Sequence, residues 1–196
     1  MRTFLSAVAL SLLLAGPASG QSYEKGLQAL SEADYEMALD VLRPLAEQGH
    51  TGAQYNLGLM YERGYGVAQD NAAALDWWRR GAALGDPVIQ TALGDRYREG
   101  RIVPQDHAAA ASWYRKAAEQ GHRRAQYSLG RMYADGAGVK QDYVEAYIWF
   151  SLAAVLGGER SSESRDTTAR LLTPAQFEEA RRLAVVRWEE IQKRGK

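Results

Sequence analysis

The sequence contains no cysteine among its 196 residues. A disulfide, a thiolate metal ligand, a cysteine nucleophile and a lipoprotein anchor are therefore all excluded. Net charge is absent as well, because 24 basic side chains balance 24 acidic ones. A chain without net charge lacks the long-range field that draws proteins to nucleic acid or to an anionic membrane. We expect neither of them as a partner.

A hydrophobic run long enough to span a bilayer is also missing. The longest apolar stretch, Phe4 to Leu14, has about eleven residues, whereas a spanning helix needs about 20. Arg2 precedes this stretch and small residues follow it at 18–20, a pattern typical of a secretory signal peptide. We predict a signal peptide over residues 1–20, cleaved near Gly20, and a periplasmic or secreted protein without a stable membrane anchor. An uncleaved anchor is the weaker alternative.

Known catalytic signatures are missing from the sequence too. It has no G-x-S-x-G elbow, no phosphate-binding glycine loop and no H-E-x-x-H pair. We therefore predict a protein that is not an enzyme and that uses no cofactor and no metal. A hydrolase stays open as a remote alternative.

What the sequence does contain is a unit that returns every 36 residues. The segment 53–58, Ala-Gln-Tyr-Asn-Leu-Gly, aligns with 89–94 and 125–130. Other positions keep the same register: Tyr61, Tyr97 and Tyr133; Gly64, Gly100 and Gly136; the Gln-Asp pairs at 69–70, 105–106 and 141–142; and Trp77, Trp113 and Trp149. A fixed period of this length is the signature of a stacked solenoid. Residues 23–49 carry a shorter version, with four residues fewer between its two helices.

Each unit predicts two helices joined by a loop. Gly58 and its counterparts fall in the middle of the first helix, where glycine costs about 1 kcal/mol relative to alanine, so we expect a second helix to approach its backbone closely. Gly64 and its counterparts are expected to end that helix in the left-handed conformation. Asp70 and its counterparts are expected to cap the second helix, whose neighbouring aromatic residues Trp77 and Trp78 should anchor the core.

The repeat register ends after Gly157. A polar-faced helix is predicted from Glu159 to Leu172. Thr173 and Gln176 then form a capping box that opens a last helix, which runs through about Lys193. An apolar stripe on this last helix indicates a cap for the end of the solenoid.

The repeated pattern resembles a known family. Units of the form A-Q-x-x-L-G-x-x-Y-x-x-G-x-G-V-x-Q-D, continuing to A-x-x-W-x-x-x-A-A-x-x-G, are similar to Sel-like repeats (SLR), which are relatives of the tetratricopeptide repeat. The resemblance is strong over 50–157 and weak over 23–49. It implies an all-α, right-handed α-solenoid of antiparallel helix pairs with a C-terminal capping helix. Family members typically act as protein-interaction scaffolds, and in bacteria they are often exported or envelope proteins.

Together, the N-terminal pattern and the repeat register predict how the chain is divided. The signal peptide at 1–20 is followed by a solenoid over 21–157 and a helical cap over 158–196. The solenoid comprises the short unit (about 23–49), unit one (50–85), unit two (86–121) and unit three (122–157).

In tetratricopeptide-like arrays the first helix of each pair lines a concave surface, which places the candidate binding residues there. The positions opposite the buried stripe vary between units and mix aromatic, apolar and charged side chains, as a partner-specific groove requires. They are Tyr23 and Leu27 in the short unit; Tyr55, Leu59, Glu62 and Arg63 in unit one; Thr91, Asp95, Arg98 and Glu99 in unit two; and Tyr127, Arg131 and Asp135 in unit three. The alternative, that these residues are only solvated surface, stays open.

The leading hypothesis is a non-enzymatic periplasmic scaffold that holds a protein or peptide of unknown identity in this groove. The alternative is a cell-envelope factor that binds peptidoglycan or regulates a cell-wall enzyme, with the tryptophans stacking on sugars. His50 and His122 could suggest a metal pair, but they occupy equivalent turns two units apart, about 20 Å per unit, so one metal cannot bridge them. The recurrent aspartates could suggest acid–base chemistry, although helix capping explains their spacing.

Overall fold

The computed structural model describes residues 17–194, without the side chains of 17–19 and 21. All regular structure in this range is helical. The helices are α1 (Pro17–Ser31), α2 (Tyr35–Glu47), α3 (Thr51–Arg63), α4 (Asn71–Ala83), α5 (Pro87–Glu99), α6 (His107–Ala118), α7 (Arg123–Asp135), α8 (Tyr143–Val155), α9 (Glu159–Ala169) and α10 (Pro174–Arg194). Within residues 17–194 no helix is both long and apolar enough to cross a membrane.

Consecutive helices pack against each other along the chain. The first helices α1, α3, α5 and α7 pair with the second helices α2, α4, α6 and α8, and each of α2, α4 and α6 also packs on the next first helix. Because every unit buries its surface against its neighbours, the chain forms one stack. The predicted all-α solenoid of helix pairs is confirmed.

The Gln-Asp pair in each loop connects the two helices of a unit. The Asp70 carboxylate accepts hydrogen bonds from the N–H groups of Ala72 and Ala73 at 2.9 and 3.0 Å, which confirms the predicted cap. Gln69 donates from its side chain to the carbonyl of Glu62 at 2.9 Å, near the end of α3. The pairs at 105–106 and 141–142 make the same kinds of contact. The end of one helix and the start of the next are therefore held by adjacent residues.

The loops have the caps and the lengths that the sequence predicts. Gly64, Gly100 and Gly136 end the first helices with φ of 70°, 67° and 69°, which confirms the left-handed caps. The loop of the short unit spans 32–34 against 64–70 in unit one, so the predicted deletion of four residues is also confirmed. In unit two, Ile102 replaces the second loop glycine and packs on the core instead.

A large ring lies against the mid-helix glycine of each full unit. Trp78 and Tyr114 are completely buried, and Phe150 is 3% exposed. A Cβ atom at Gly94 would lie 2.6 Å from the Tyr114 ring, and one at Gly130 would lie 2.8 Å from the Phe150 ring. The expectation of close backbone approach therefore needs a correction, because the glycine makes room for an aromatic side chain of the second helix.

The preceding aromatic residue of each pair is less buried in units one and two. Trp77 and Trp113 are half-buried, whereas Trp149 is 3% exposed. A cation covers each of these two half-buried rings: Arg80 lies 4.7 Å from the Trp77 centroid, and Lys116 lies 4.2 Å from the Trp113 centroid. Only the second aromatic residue is a full core anchor in every unit.

A buried glutamine links each full unit to the helix pair before it. The Gln54 side chain donates to the carbonyl of Ala46 at 2.9 Å, close to the end of α2. Gln90 and Gln126 repeat this contact at the ends of α4 and α6. The glutamine that recurs in every full unit therefore adds a second hydrogen bond to a carbonyl near the end of the preceding helix and joins neighbouring units.

The C-terminal helices close the stack. The predicted capping box is confirmed, because Gln176 accepts from the N–H of Thr173 at 3.0 Å while its own N–H donates to the Thr173 hydroxyl at 3.3 Å. The prediction that the preceding helix reaches Leu172 is wrong: α9 ends at Ala169, and a turn separates it from α10. Ala180 and Ile191 of α10 are buried in the core that units two and three share.

The predicted signal peptide falls mostly outside the described residues. Residues 1–16 lie beyond the description, and residues 17–20 form the first part of α1. Cleavage near Gly20 therefore stays a prediction.

Candidate protein-binding surface

The predicted groove residues differ in how far solvent reaches them. We call this set of first-helix positions the first-helix face. The exposed members are Leu27, Arg63, Glu99, Arg131 and Asp135; the half-buried members are Tyr23, Tyr55, Leu59, Glu62, Arg98 and Tyr127; the buried members are Thr91 and Asp95. Unit two therefore offers a partner less surface than the sequence predicts.

Asp95 is buried because its carboxylate pairs with a side chain of the core. It is 4% exposed and accepts a hydrogen bond from the Tyr114 hydroxyl at 2.7 Å. Arg124 of α7 donates to its second carboxylate oxygen at 2.6 Å. The assignment of Asp95 to an open groove is thus corrected. Burial and the bond to Asp95 raise the pKa of the Tyr114 hydroxyl, so that it stays a neutral donor.

Thr91 is the second predicted groove residue that the structure buries, at 2% exposure. Its hydroxyl donates to the carbonyl of Pro87 at 2.7 Å and lies 2.8 Å from Nδ1 of His122. Since the hydroxyl proton is used, Nδ1 of His122 donates in this contact. Burial lowers the pKa of His122, and the neighbouring Arg124 lowers it further. Thr91 therefore joins units two and three instead of facing a partner.

An ion pair joins units one and two on the same face. Arg96 donates to both carboxylate oxygens of Glu62, at 3.0 and 2.8 Å, and the two side chains are only 12% and 13% exposed. The guanidinium group also lies 4.7 Å from the centroid of the Trp78 ring. A bidentate pair at this depth holds two first helices side by side. Both carboxylate oxygens of Glu62 are therefore already paired within the fold.

Arg98 is also engaged within its own unit. Its Nε donates to the hydroxyl of Tyr114 at 3.1 Å, and a terminal nitrogen donates to Glu99 at 2.6 Å. Glu99 in turn meets Arg101 at 3.4 Å in solvent. The pair of Glu99 and Arg101 is exposed and can exchange partners at little cost, unlike the contact of Asp95 with Tyr114.

The structure does bring the three predicted residues of unit three together around one cavity. Tyr127, Arg131 and Asp135 of α7 line a space of about 470 Å³. We call it the α7–α9 cavity, because α9 forms the other side. Its remaining lining residues are Ala134, Tyr143, Phe150, Glu163, Ser164, Thr167, Thr168 and Leu171.

Sequence reasoning missed the half of this cavity that α9 contributes. The segment 159–169 is polar, and its pattern indicates only a helix with a solvated face. The structure shows that α9 packs on α8, in the place that a further first helix would take. Its hydroxyl side chains therefore face the same space as the first-helix face of unit three.

Neither the aromatic residues nor the histidines support the alternative sites. Trp77 and Trp113 each carry a cation on one ring face and pack on the core with the rest, which favours the packing interpretation over stacking on sugars. His50 caps α3, accepting from the N–H of Ala53 at 3.2 Å. Between residues 17 and 194 no three His, Cys, Asp or Glu side chains group as a metal site would require.

Comparison with known proteins identifies the family. The family model described as the Sel1 repeat matches residues 12–50, 51–86, 89–122 and 123–157, which together make up most of the chain. The chain belongs to the Sel1 repeat family. The first matched Sel1 repeat begins at residue 12, five residues before α1.

Two solved structures are similar to this Sel1 repeat chain. A Sel1 repeat protein from Oxalobacter formigenes is 38% identical with a TM-score of 0.62, over 66% of this chain and 97% of that one. A protective antigen of uropathogenic Escherichia coli strains, which displays an SLR fold, is 31% identical with a TM-score of 0.57. That alignment covers 89% of this chain and 48% of the antigen, so the chain spans about half of the antigen's length. No match was found among curated proteins.

Membership in the Sel1 repeat family indicates a general class of function. Sel1 repeat proteins generally mediate protein–protein interactions, and the family is typically a non-enzymatic scaffold. The question for this chain is therefore which part of its surface receives the partner.

Proposed function

We propose that this chain is an exported, non-enzymatic scaffold that holds a segment of a partner protein on its first-helix face, seated at the α7–α9 cavity. The family supports the general role. The cavity supports the location, because it is where exposed first-helix residues and an unfilled space coincide.

The size of the α7–α9 cavity suits an anchor residue. Ligand pockets in proteins measure about 300–1,000 Å³, and this cavity has about 470 Å³. Tyr127 and Phe150 lie with ring centroids 5.6 Å apart and give the cavity an aromatic wall, which Leu171 extends. A large apolar side chain of the partner would occupy part of this space and lose much of its contact with water, as interface anchors do.

The rim of the cavity carries both signs of charge. Arg131 and Asp135 form an exposed pair 3.7 Å apart on α7, and Glu163 stands across from them on α9. Exposed pairs of this kind contribute little to stability, so they can exchange partners when a ligand binds. We therefore expect a partner segment with an apolar anchor flanked by charged residues.

Residues of the other units extend the surface. Tyr55 and Leu59 are half-buried on α3, and Arg63 is exposed at its end. These side chains would add contacts along a partner that runs across several first helices. The buried Thr91 and Asp95 would contribute only by fixing the spacing of units two and three.

A displayed library of random peptides tests the proposed site. We expect selection against the purified protein to enrich peptides with an aromatic or large aliphatic anchor, and Thr167→Trp, which fills the cavity from α9, to weaken their binding at least about tenfold, or 1.4 kcal/mol. Asp76→Trp on α4 is the matched control, because Asp76 is also exposed and lies on a second helix. Binding that survives Thr167→Trp unchanged would reject the cavity.

Export has a separate test. N-terminal sequencing of the protein isolated from the cells that produce it should begin near Gln21. A chain that still starts at residue 1 or 2 and is found inside the cytoplasm would contradict export, whatever the peptide experiment shows.

A further inference from the structure

Helix α9 continues the repeat register of the first helices in position but not in its side chains. The turn before α9 repeats the turn before α7, because Gly157 and Gly121 lie 36 residues apart and have φ of 82° and 84°. Each of these glycines donates its N–H to the carbonyl of an alanine three residues earlier. Residues 159–169 therefore stand where a further unit would begin, and each can be compared with its counterparts in the full units.

The apolar side chains that pack the other first helices into the stack are missing from α9. Ser161 stands where the full units have alanine or isoleucine, and Arg165 stands where they have a completely buried leucine. The side chain of Arg165 is 34% exposed. The buried residues of α9 are Ser161 and Thr168, so this helix buries no large apolar side chain.

Polar contacts do not replace this packing. Ser162 takes the position of the glutamine that links every full unit to the helix pair before it. The side-chain hydrogen bonds of α9, from Arg165 to Asp166 and from Thr168 to the carbonyl of Ser164, stay within the helix. Within residues 17–194 no side-chain hydrogen bond or ion pair connects α9 to another helix.

The helix itself has few features that stabilise it. Each other first helix pairs with the second helix that follows it, whereas α10 packs on α8 instead. The N-cap residue of α9 is Gly158, which offers no side-chain hydrogen bond. Serine, threonine and aspartate are poor helix formers, and they make up six of the eleven residues. Packing on α8 is therefore the main contact that holds α9 in place.

Helix α10 has its own attachment to the stack. Ala180 and Ile191 are buried in the core, and Arg187 donates to both carboxylate oxygens of Glu145 on α8. The last helix can therefore stay in place when α9 leaves it.

We propose that α9 opens as a unit while the rest of the stack stays folded, and that this opening gates the α7–α9 cavity. Segments with few buried apolar contacts open at a lower free-energy cost than the whole protein. Glu163, Ser164, Thr167 and Thr168 form one side of the cavity, so the cavity has both sides only while α9 is closed. The gating part rests on the proposed function, because it concerns the same cavity.

Gating has a consequence for affinity. A partner that contacts both sides of the cavity binds the closed state, and its apparent affinity falls with the fraction of molecules in which α9 is open. By the same linkage, a bound partner holds α9 closed.

Hydrogen–deuterium exchange of the purified protein tests the opening. We expect the amides of α9 to exchange at least about hundredfold faster than those of α7 and α8, because α9 opens without them. A peptide selected on the α7–α9 cavity, added at about ten times its Kd, should slow exchange in α9 about tenfold.

Two variants shift the opening in opposite directions, and neither changes a residue that lines the cavity. Ser162→Gln with Arg165→Leu restores the side chains of the full units and should slow exchange in α9 at least about tenfold. Asp166→Pro places a proline inside the helix, so it should speed exchange in α9 and weaken peptide binding at least about tenfold. Asp166→Ala is the matched control, because it removes the same ion pair with Arg165 and keeps a good helix former. It should bind the peptide like the original protein.

The outcomes separate the two parts of the proposal. Exchange in α9 as slow as in α7 and α8 would overturn the opening, whatever peptides the cavity binds. Rapid exchange that a bound peptide does not slow would overturn the gate, as would unchanged peptide affinity of Asp166→Pro when circular dichroism shows a folded stack. If the cavity selects no peptide, the proposed function and the gate both fail, whereas rapid exchange in α9 would still support the opening.

Discussion

Single residues explain why unit two departs from its neighbours. The ring that faces the mid-helix glycine belongs to Trp78 in unit one, Tyr114 in unit two and Phe150 in unit three. The indole of Trp78 donates to the carbonyl of Tyr55 at 3.0 Å, and the phenyl ring of Phe150 has no polar atom to pair. Of these three rings, the ring of Tyr114 alone carries a hydroxyl group, and Asp95 accepts a hydrogen bond from it.

A double-mutant cycle tests this pairing. Tyr114→Phe leaves the buried Asp95 without its hydroxyl donor, and we expect it to lower the free energy of unfolding by about 1–3 kcal/mol. Asp95→Leu introduces the side chain that unit one has at the equivalent position, Leu59. It leaves the Tyr114 hydroxyl without its acceptor, and we expect a similar loss of free energy of unfolding. The double variant should lose at least about 0.5 kcal/mol less than the sum, because neither polar group is then left alone. Costs that simply add, measured by urea denaturation, would contradict the pairing.

His122 gives a prediction for pH. Burial lowers its pKa below the ordinary 6.5, so the folded protein binds the proton less readily than the unfolded chain. Its contribution to stability is present above pH 6.5 and is lost as pH falls through the lowered pKa. Between about pH 7.5 and 5 the free energy of unfolding should therefore fall less for His122→Asn than for the original protein. An equal fall, or an NMR titration of His122 at or above 6.5, would contradict this.

The sequence predicts the contacts of single residues less well than the positions of the helices. Repetition identifies Asp70 and Gly64 as cap residues, because a function shared by every unit leaves the same residue in every unit. Thr91 and Asp95 each occur once, so the sequence gives no sign that one pairs with His122 and the other with Tyr114. Variable positions attract a binding interpretation, although here the hydroxyl group of Tyr114 explains Asp95 and the contact with His122 explains Thr91.

Within each helix pair, adjacent aromatic residues have unequal roles. Trp78 is fully buried under α3, whereas the half-buried Trp77 lies beneath Arg80. We expect Trp78→Ala to cost about 3–5 kcal/mol of stability, and Trp77→Ala about 1–2 kcal/mol. Urea denaturation measures both, and the two variants control for each other because they differ by one position on α4. Equal costs would show that the burial of the second aromatic residue is not what stabilises the pair.

The elements themselves were predictable where they repeat and less so where they do not. Caps, glycines and the Gln-Asp pairs give the bounds of α3 to α8 within a few residues, and the capping box at Thr173 gives the start of α10. The polar sequence of α9 predicts a helix and misplaces its end by three residues. Its position opposite α7 depends on how α8 packs, which no local pattern in 159–169 records.

At the scale of the whole molecule, two kinds of contact hold the stack together. Buried rings join the two helices within each unit, and the linking glutamines join each unit to the second helix before it. Polar contacts such as Glu62 with Arg96 join the first helices of neighbouring units directly. The first-helix face is therefore partly used by the fold. The proposed function depends on the α7–α9 cavity, where Tyr127, Arg131 and Asp135 of this face line an unfilled space.

Site-specific photo-crosslinking in the cells that produce the protein tests the central claim most directly. A benzophenone amino acid at Asp135, on the rim of the α7–α9 cavity, is compared with the same group at Asp76 on α4, since each aspartate belongs to an exposed pair with an arginine four residues away. We predict a covalent adduct with a second polypeptide from Asp135 alone, and its loss when Thr167→Trp fills the cavity. No adduct at Asp135, or equal adducts from both positions, would contradict the claim that this face holds a protein partner.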